Sequence, residues 1–217
     1  MKRYLLIGIA IFLSSSGMLA QQDPEARKIL DRVAEKSKQY TTIQVDFELT
    51  IENRRDDFSS STKGNLKVKG EKYYMESADT KVYFDGNTLW TFMQDINEVT
   101  ITNPDDESDD FVENPTILFD FYNRDFKYRL VGETRLDVGW MYEIDLFPNN
   151  LDQPYSRFKV FIRKDTEELY MVQAVGKDGI DYTAFLTNAV YNAPLDDKRF
   201  TFSPDKHKNI EVIDMRF

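Results

Sequence analysis

The chain of 217 residues has no cysteine and a single histidine, and its nine glycines are scattered singly. Each scarcity closes a door. Without cysteine there are no disulfides, no thiolate chemistry and no lipid-modified N-terminal cysteine. One histidine, His207 between Lys206 and Lys208, leaves almost no material for a serine–histidine triad or a zinc centre. It reads as an exposed residue of a C-terminal tail. No glycine-rich phosphate loop is present. Carboxylate pairs could do glycosidase chemistry, but among 38 acidic residues some lie close by chance, so nothing argues for an enzyme and a non-enzymatic role without metal or cofactor is expected.

Long apolar runs are lacking as well. The longest, within residues 4–13, is about ten residues, half of the roughly 20 that span a bilayer. Lys2 and Arg3 precede it and small or neutral residues up to Ala20 follow, the three parts of an export signal. Residues 1–20 are expected to be cleaved, leaving residues 21–217 as one soluble exported domain. Lys2 and Arg3 belong to the 28 basic residues, so residues 21–217 hold 26 basic against 38 acidic, a net charge of −12. Such a chain is repelled by phosphate backbones, which excludes nucleic acid as a partner.

Strand patterns dominate what is present. Asp85-Gly86-Asn87 sits between apolar runs and reads as a hairpin turn. Val82 and Phe84 share a face before it, and Trp90 and Phe92 share a face after it. With the alternating Gly64-Asn65-Leu66-Lys67-Val68-Lys69 and a strand over residues 97–102, this predicts an antiparallel meander with one apolar and one wet face. Upstream, residues 43–52 alternate without a break, with Phe47, Leu49 and Ile51 on the apolar side. Residues 53–63, charged and serine-rich, read as a connection. Before them Asp23-Pro24 reads as an N-cap and first helical residue, and Ala26, Ile29, Leu30 and Val33 form one helical stripe.

Residues 103–110 are acidic but lack the spacing of a calcium loop and read as a solvated loop capping a following helix. Residues 111–122, including Leu118 and Phe121, are apolar enough for a short helical lid. Alternation then resumes at residues 126–130, 140–146 and 158–163. Turns at Asp165-Thr166-Glu167-Glu168 and Lys177-Asp178-Gly179 separate the strands that follow. In all, roughly eight to ten strands at short spacing predict an antiparallel sheet, curved or closed. Aromatic residues make up 14% of the chain, more than strands with one inward face need. Two readings follow: an ordinary packed core, or a sheet curved around a cavity with the helices as its lid.

The ordered motifs resemble the periplasmic lipoprotein carrier family (LolA). They are Tyr40-Thr41-Thr42-Ile43-Gln44-Val45-Asp46-Phe47, then Gly64 to Lys69, then Phe84-Asp85-Gly86-Asn87-Thr88-Leu89-Trp90. Near the end come Leu186-Thr187-Asn188-Ala189-Val190-Tyr191-Asn192-Ala193-Pro194-Leu195, Arg199-Phe200-Thr201-Phe202-Ser203-Pro204 and Val212-Ile213-Asp214. Residues 107–170 contribute little.

The resemblance implies a mainly β fold with helices (α+β), a curved, incomplete antiparallel β-barrel covered by an N-terminal helix and a short mid-chain helical lid. It implies a monomeric periplasmic carrier that takes acylated lipoproteins from an inner-membrane lipoprotein-releasing transporter to an outer-membrane acceptor, without chemistry. The expected acyl-chain lining is Phe47, Leu49, Ile51, Val82, Phe84, Trp90, Phe92, Leu118 and Phe121. Carriage of a free lipid and sensing of envelope stress are the alternatives on the same fold, and an enzyme of unknown reaction ranks behind them. One departure stands out: where the family carries an arginine-proline pair that holds its lid, this chain has Gly70-Glu71, flanked by Lys69 and Lys72. Lysine cannot make the arginine's forked set of hydrogen bonds.

Overall fold

The computed structural model describes residues 23–104 and 126–216. It is mainly β. One α-helix, α1 (Pro24–Ser37), precedes six strands: β1 (Ile43–Asn53), β2 (Phe58–Lys69), β3 (Lys72–Ser77), β4 (Thr80–Phe84), β5 (Leu89–Met93) and β6 (Glu98–Thr102). Six more follow residue 125: β7 (Phe126–Leu136), β8 (Gly139–Pro148), β9 (Tyr155–Arg163), β10 (Leu169–Gly176), β11 (Ile180–Tyr191) and β12 (Glu211–Asp214). All twelve join one sheet in the order β12-β6-β5-β4-β3-β2-β1-β11-β10-β9-β8-β7. Its ends, β12 and β7, do not pair among the described residues, so the sheet is not closed. The signal at residues 1–20, the acidic stretch from Asp105 onward, Leu118 and Phe121 lie outside the described residues.

Local chemistry explains the helix. The Asp23 carboxylate accepts from the backbone N–H of Glu25 (2.9 Å) and Ala26 (3.2 Å), and Pro24 needs no partner at the first helical position. The other carboxylate oxygen accepts from Leu130 N–H of β7 (3.0 Å), so one side chain caps the helix and ties it to the edge strand. These bonds hold the Asp23 carboxyl below its usual range, the Leu130 bond most of all. Ala26, Ile29, Leu30 and Val33 are buried against the sheet. α1 covers one face, called the helix face here.

Pairing assigns the faces. Across β1 and β2, Val45 stands opposite Leu66 and Phe47 opposite Gly64; across β1 and β11, Phe47 meets Leu186, Leu49 meets Ala184 and Ile51 meets Tyr182. All of these are on the helix face. The core continues there through Ile144, Leu146, Phe158, Val160 and Val172.

Four expectations change. Residues 58–63 are strand rather than connection: β2 extends the hairpin to Phe58 opposite Asn53. Its serines form a strand because β1 supplies partners for their backbone, not through apolar alternation of their own. The sheet is not wholly antiparallel, because β12 runs parallel to β6. The opposite face of β4 to β6 is not wet either. The chain after β11 crosses it as a strap through two 3-10 turns, Asp197–Phe200 and Pro204–Lys206. Phe92, Val99 and Phe202 are buried there with Tyr83, Trp90 and Ile210 around them. His207, expected in an exposed tail, is half-buried. Its ring stacks on Phe202 (centroids 4.8 Å, planes 18° apart) and lies 4.6 Å from Phe92.

Candidate functional site

The helix face is the first candidate, and it gathers most of the expected lining. Phe47, Leu49 and Ile51 lie in a row on β1, half-buried. Val82 is buried opposite Met75, and Phe84 is half-buried with its ring 5.2 Å from Tyr73. Across the β4–β5 hairpin, however, Phe84 faces Leu89, and Trp90 faces Tyr83. Trp90 and Phe92 thus point to the opposite face, where they pack with Phe202. The nine expected residues do not form one surface: five share the helix face, two lie behind it, and Leu118 and Phe121 fall outside the described residues.

Gly64 explains part of the row's geometry. A Cβ there would sit 2.4 Å from Phe47 Cζ and 2.3 Å from the Glu76 carbonyl oxygen. The Phe47 ring lies across the bare backbone of β2, a close approach only glycine allows. Beyond the row, Met75, Leu89, Phe126, Tyr128, Leu130, Tyr142 and Tyr182 are half-buried around the core. The face therefore carries more apolar surface than α1 covers.

A second feature went unnoticed in the sequence: a cleft of about 220 Å³ beneath the last turn of α1. Val33, Ile43, Val45, Leu169 and Leu186 give it an apolar floor. Tyr40 and Tyr191 form one wall, stacked with centroids 3.9 Å apart and planes 11° apart. Burial pushes both hydroxyls' pKa values up. The β9–β10 turn supplies the other wall with Thr166, Glu167 and Glu168. Here α1 is tied down: Arg32 to Glu167 at 2.5 Å, and Lys36 to Glu168 at 3.3 Å and to the Thr166 carbonyl.

Opposite Val45 the β1–β11 register slips between Gln44 and Asp46. Asn188, at φ +52° in this bulge, donates from Nδ2 to Asp46 Oδ2 (2.9 Å). Two hydroxyl oxygens of the walls, Tyr40 Oη and Thr166 Oγ1, are buried without a well-formed hydrogen bond. Each such orphan costs about 1–3 kcal/mol. Lys36 reaches the Tyr40 hydroxyl oxygen as well as Thr166 O and Glu168, so that oxygen has a donor beside it while its own proton has no acceptor. The cleft escaped sequence reading because its walls come from segments more than a hundred residues apart. The paired asparagines around Tyr191, both at positive φ, were its only local mark.

The arginine-proline departure has its own local solution. Lys69 and Lys72 both reach Asp197 of the strap, at 2.6 and 2.9 Å, and Lys69 also donates to the Leu195 carbonyl (3.0 Å). Gly70, at φ +59°, makes the tight turn that brings the two lysines together. They hold the strap rather than α1. Among the described residues no group of three or more histidines and carboxylates stands where it could hold a metal ion.

A family model described as outer membrane lipoprotein carrier protein LolA matches residues 16–168. No curated protein matches the chain. Among solved structures, an uncharacterized conserved protein from Thermus thermophilus is similar at a TM-score of 0.57 and 15% identity, over 88% of this chain and 99% of its own. A DUF1329 family protein from Desulfovibrio piger ATCC 29098 gives 0.49 and 15%, over 82% and 96%. The LolA superfamily protein NE2245 from Nitrosomonas europaea gives 0.43 and 14%, over 82% and 97%. At such identity the Thermus likeness speaks for the fold alone.

Proposed function

The chain belongs to the outer membrane lipoprotein carrier protein LolA family, and on that premise we propose that it carries acylated lipoproteins by burying their acyl chains against the helix face. One observation carries this reading: the row Phe47, Leu49, Ile51 and its neighbours Phe84 and Leu89 stay half-buried at the margin of the core. An ordinary core would close over them. The row is the acyl lining, and Trp90 and Phe92 serve the strap.

Magnitudes set the kind of cargo. Burying a methylene contributes about 0.8 kcal/mol, so ten of them give roughly 8 kcal/mol. Association costs about 4–15 kcal/mol. One short chain is then marginal, while a cargo with two or three chains is held firmly. The cleft at about 220 Å³ is smaller than the roughly 300–1,000 Å³ usual for ligand sites. Loading a whole chain therefore requires α1 to shift from the sheet, which curves around the cargo as an incomplete barrel. The step is non-covalent and needs no cofactor. Export by residues 1–20 puts the carrier in the periplasm, between an inner-membrane lipoprotein-releasing transporter and an outer-membrane acceptor.

The test is mass spectrometry of what co-purifies from the native envelope, together with titration of a dipalmitoylated lipopeptide. Leu49→Asp should weaken lipopeptide binding at least tenfold while the protein still unfolds cooperatively. A free phospholipid as the sole co-purifying molecule, or lipopeptide affinity indifferent to Leu49→Asp, would sink the lipoprotein reading.

A further inference from the structure

Two ion pairs flank the cleft under α1. Glu168 is paired with Lys36 and Glu167 with Arg32. The remaining cation, Arg163, donates to the Val138 carbonyl (3.2 Å) and lies over the Tyr170 ring at 4.9 Å. An ionised carboxylate or phosphate entering the cleft would meet Glu167 and Glu168 on its wall, while the Arg163 guanidinium is directed to the Val138 carbonyl and the Tyr170 ring. What the cleft does hold ready is a pair of buried hydroxyls, Tyr40 Oη and Thr166 Oγ1, whose own protons have no acceptor. Each can donate one hydrogen bond. Such donors suit a neutral acceptor.

The floor leads somewhere. Ile43 and Val45, at the bottom of the cleft, are the first two members of the β1 row that continues through Phe47, Leu49 and Ile51. At about 3.3 Å per residue that row is roughly 26 Å long. The cleft itself, at about 220 Å³, equals some seven waters' share of liquid volume. That is room for a linking group and the first few methylenes, not for a whole chain.

We propose that this cleft is the subsite for the neutral carbonyl at the root of an acyl chain, an ester or an amide, which accepts from Tyr40 Oη and Thr166 Oγ1 while the chain runs along the β1 row. The proposal rests on the acyl-carrier reading and deepens it: the polar root of the cargo is recognised at the C-terminal end of α1, and its tail by the row. Free fatty acid, carrying a carboxylate, is discriminated against.

The experiment titrates the full-length mature chain with 1-monolauroylglycerol, with laurate and with a dipalmitoylated lipopeptide, by calorimetry. Wild type is compared with Tyr40→Phe, Thr166→Val and the double variant, which remove the hydroxyls and keep the shapes. Monolauroylglycerol should bind at least tenfold more tightly than laurate. Each single change should weaken it about three- to tenfold, and the double change by about their product. Thermal midpoints of the variants should stay close to wild type, because neither hydroxyl's proton has an acceptor in the folded chain; a purely structural role would lower them. Laurate binding as tightly as the ester, no binding of the ester, or a double variant within twofold of wild type overturns the subsite. If the lipopeptide then binds wild type and double variant alike, the carrier reading survives without it. Hydroxyl-dependent ester binding with no lipopeptide binding keeps the subsite and removes the carrier reading.

Discussion

Trp90 stands directly across the β4–β5 hairpin from Tyr83, not from Phe84. That register puts the indole behind the sheet, beside the Phe92–Phe202 pair. Apolar cargo on the helix face should not touch it. Trp90→Phe is expected to leave lipopeptide affinity within twofold of wild type, whereas Leu49→Asp lowers it at least tenfold. Equal losses in the two variants, by calorimetry, would put cargo on the opposite face.

Asp197 couples the strap to pH. Lys69 first and Lys72 second hold its carboxyl at about 2, against an ordinary 3.8. A lowered folded value means that the unfolded chain binds the proton first as pH falls. The stabilisation is thus present above about pH 4 and is lost as pH drops through 4 toward 2. Asp197→Asn should lower the thermal midpoint slightly at pH 7, the ion pairs being exposed and screened. The gap between variant and wild type should close by pH 2. A gap as wide at pH 2 as at pH 7 would show that Asp197 acts through something other than these lysines.

How much of this was legible beforehand depended on how local each signal was. α1 could be read because Asp23-Pro24 and the stripe Ala26, Ile29, Leu30, Val33 are a local code. β1 could be read because its alternation is unbroken and its other face is polar. β5 defeated the same rule. Leu89 turns to the helix face and Trp90 and Phe92 away from it, because the strap buries the second face too. Alternation assigns a face only where the other one meets water. Within the strap, His207 reads as a tail residue because its partners are not local: Phe92 on β5 lies over a hundred residues earlier. The Tyr40–Thr166 cleft is assembled from equally remote segments, and Asn188 and Asn192 at positive φ are its only local mark.

Gly64 tests the one glycine whose absence of a side chain shapes the helix face. A Cβ would meet the Glu76 carbonyl at 2.3 Å and Phe47 Cζ at 2.4 Å. The carbonyl belongs to a paired strand and cannot step aside. Gly64→Ala should cost about 1–3 kcal/mol, as overpacking does, and lower the thermal midpoint by roughly 3–10 °C in a domain of this size. Lipopeptide affinity should fall with it, because Phe47 is pushed out of the row. Gly64→Ala with wild-type melting would mean the ring has room that the close approach denies it.

Arg54 and Asp181 lie beside the far end of the row: Ile51 meets Tyr182 on the helix face, and Glu52 meets Asp181 on the other. Asp181 is 7% exposed, accepts from Gly176 N–H (3.2 Å) and pairs with Arg54 Nε (3.2 Å). Arg54 in turn donates to the carbonyls of Gly176 (2.9 Å) and Gly179 (3.0 Å, from its backbone N–H), clamping the β1–β2 turn to the β10–β11 turn. Removing Asp181 leaves the Gly176 N–H unpaired and the guanidinium without its anion. Asp181→Ala should cost about 2–4 kcal/mol, short of the loss at a fully buried pair because Arg54 is half in solvent. Arg54→Ala should cost about 1–3 kcal/mol, since the carboxylate keeps one donor. Arg54→Lys should recover less than half of that, because an ammonium on its stem cannot serve Asp181 and the Gly176 carbonyl in one fork. Urea unfolding of the two alanine variants and their double gives the coupling. A coupling near zero would show that the two turns are held by their strands alone, and full rescue by lysine would show that charge, not the fork, makes the clamp.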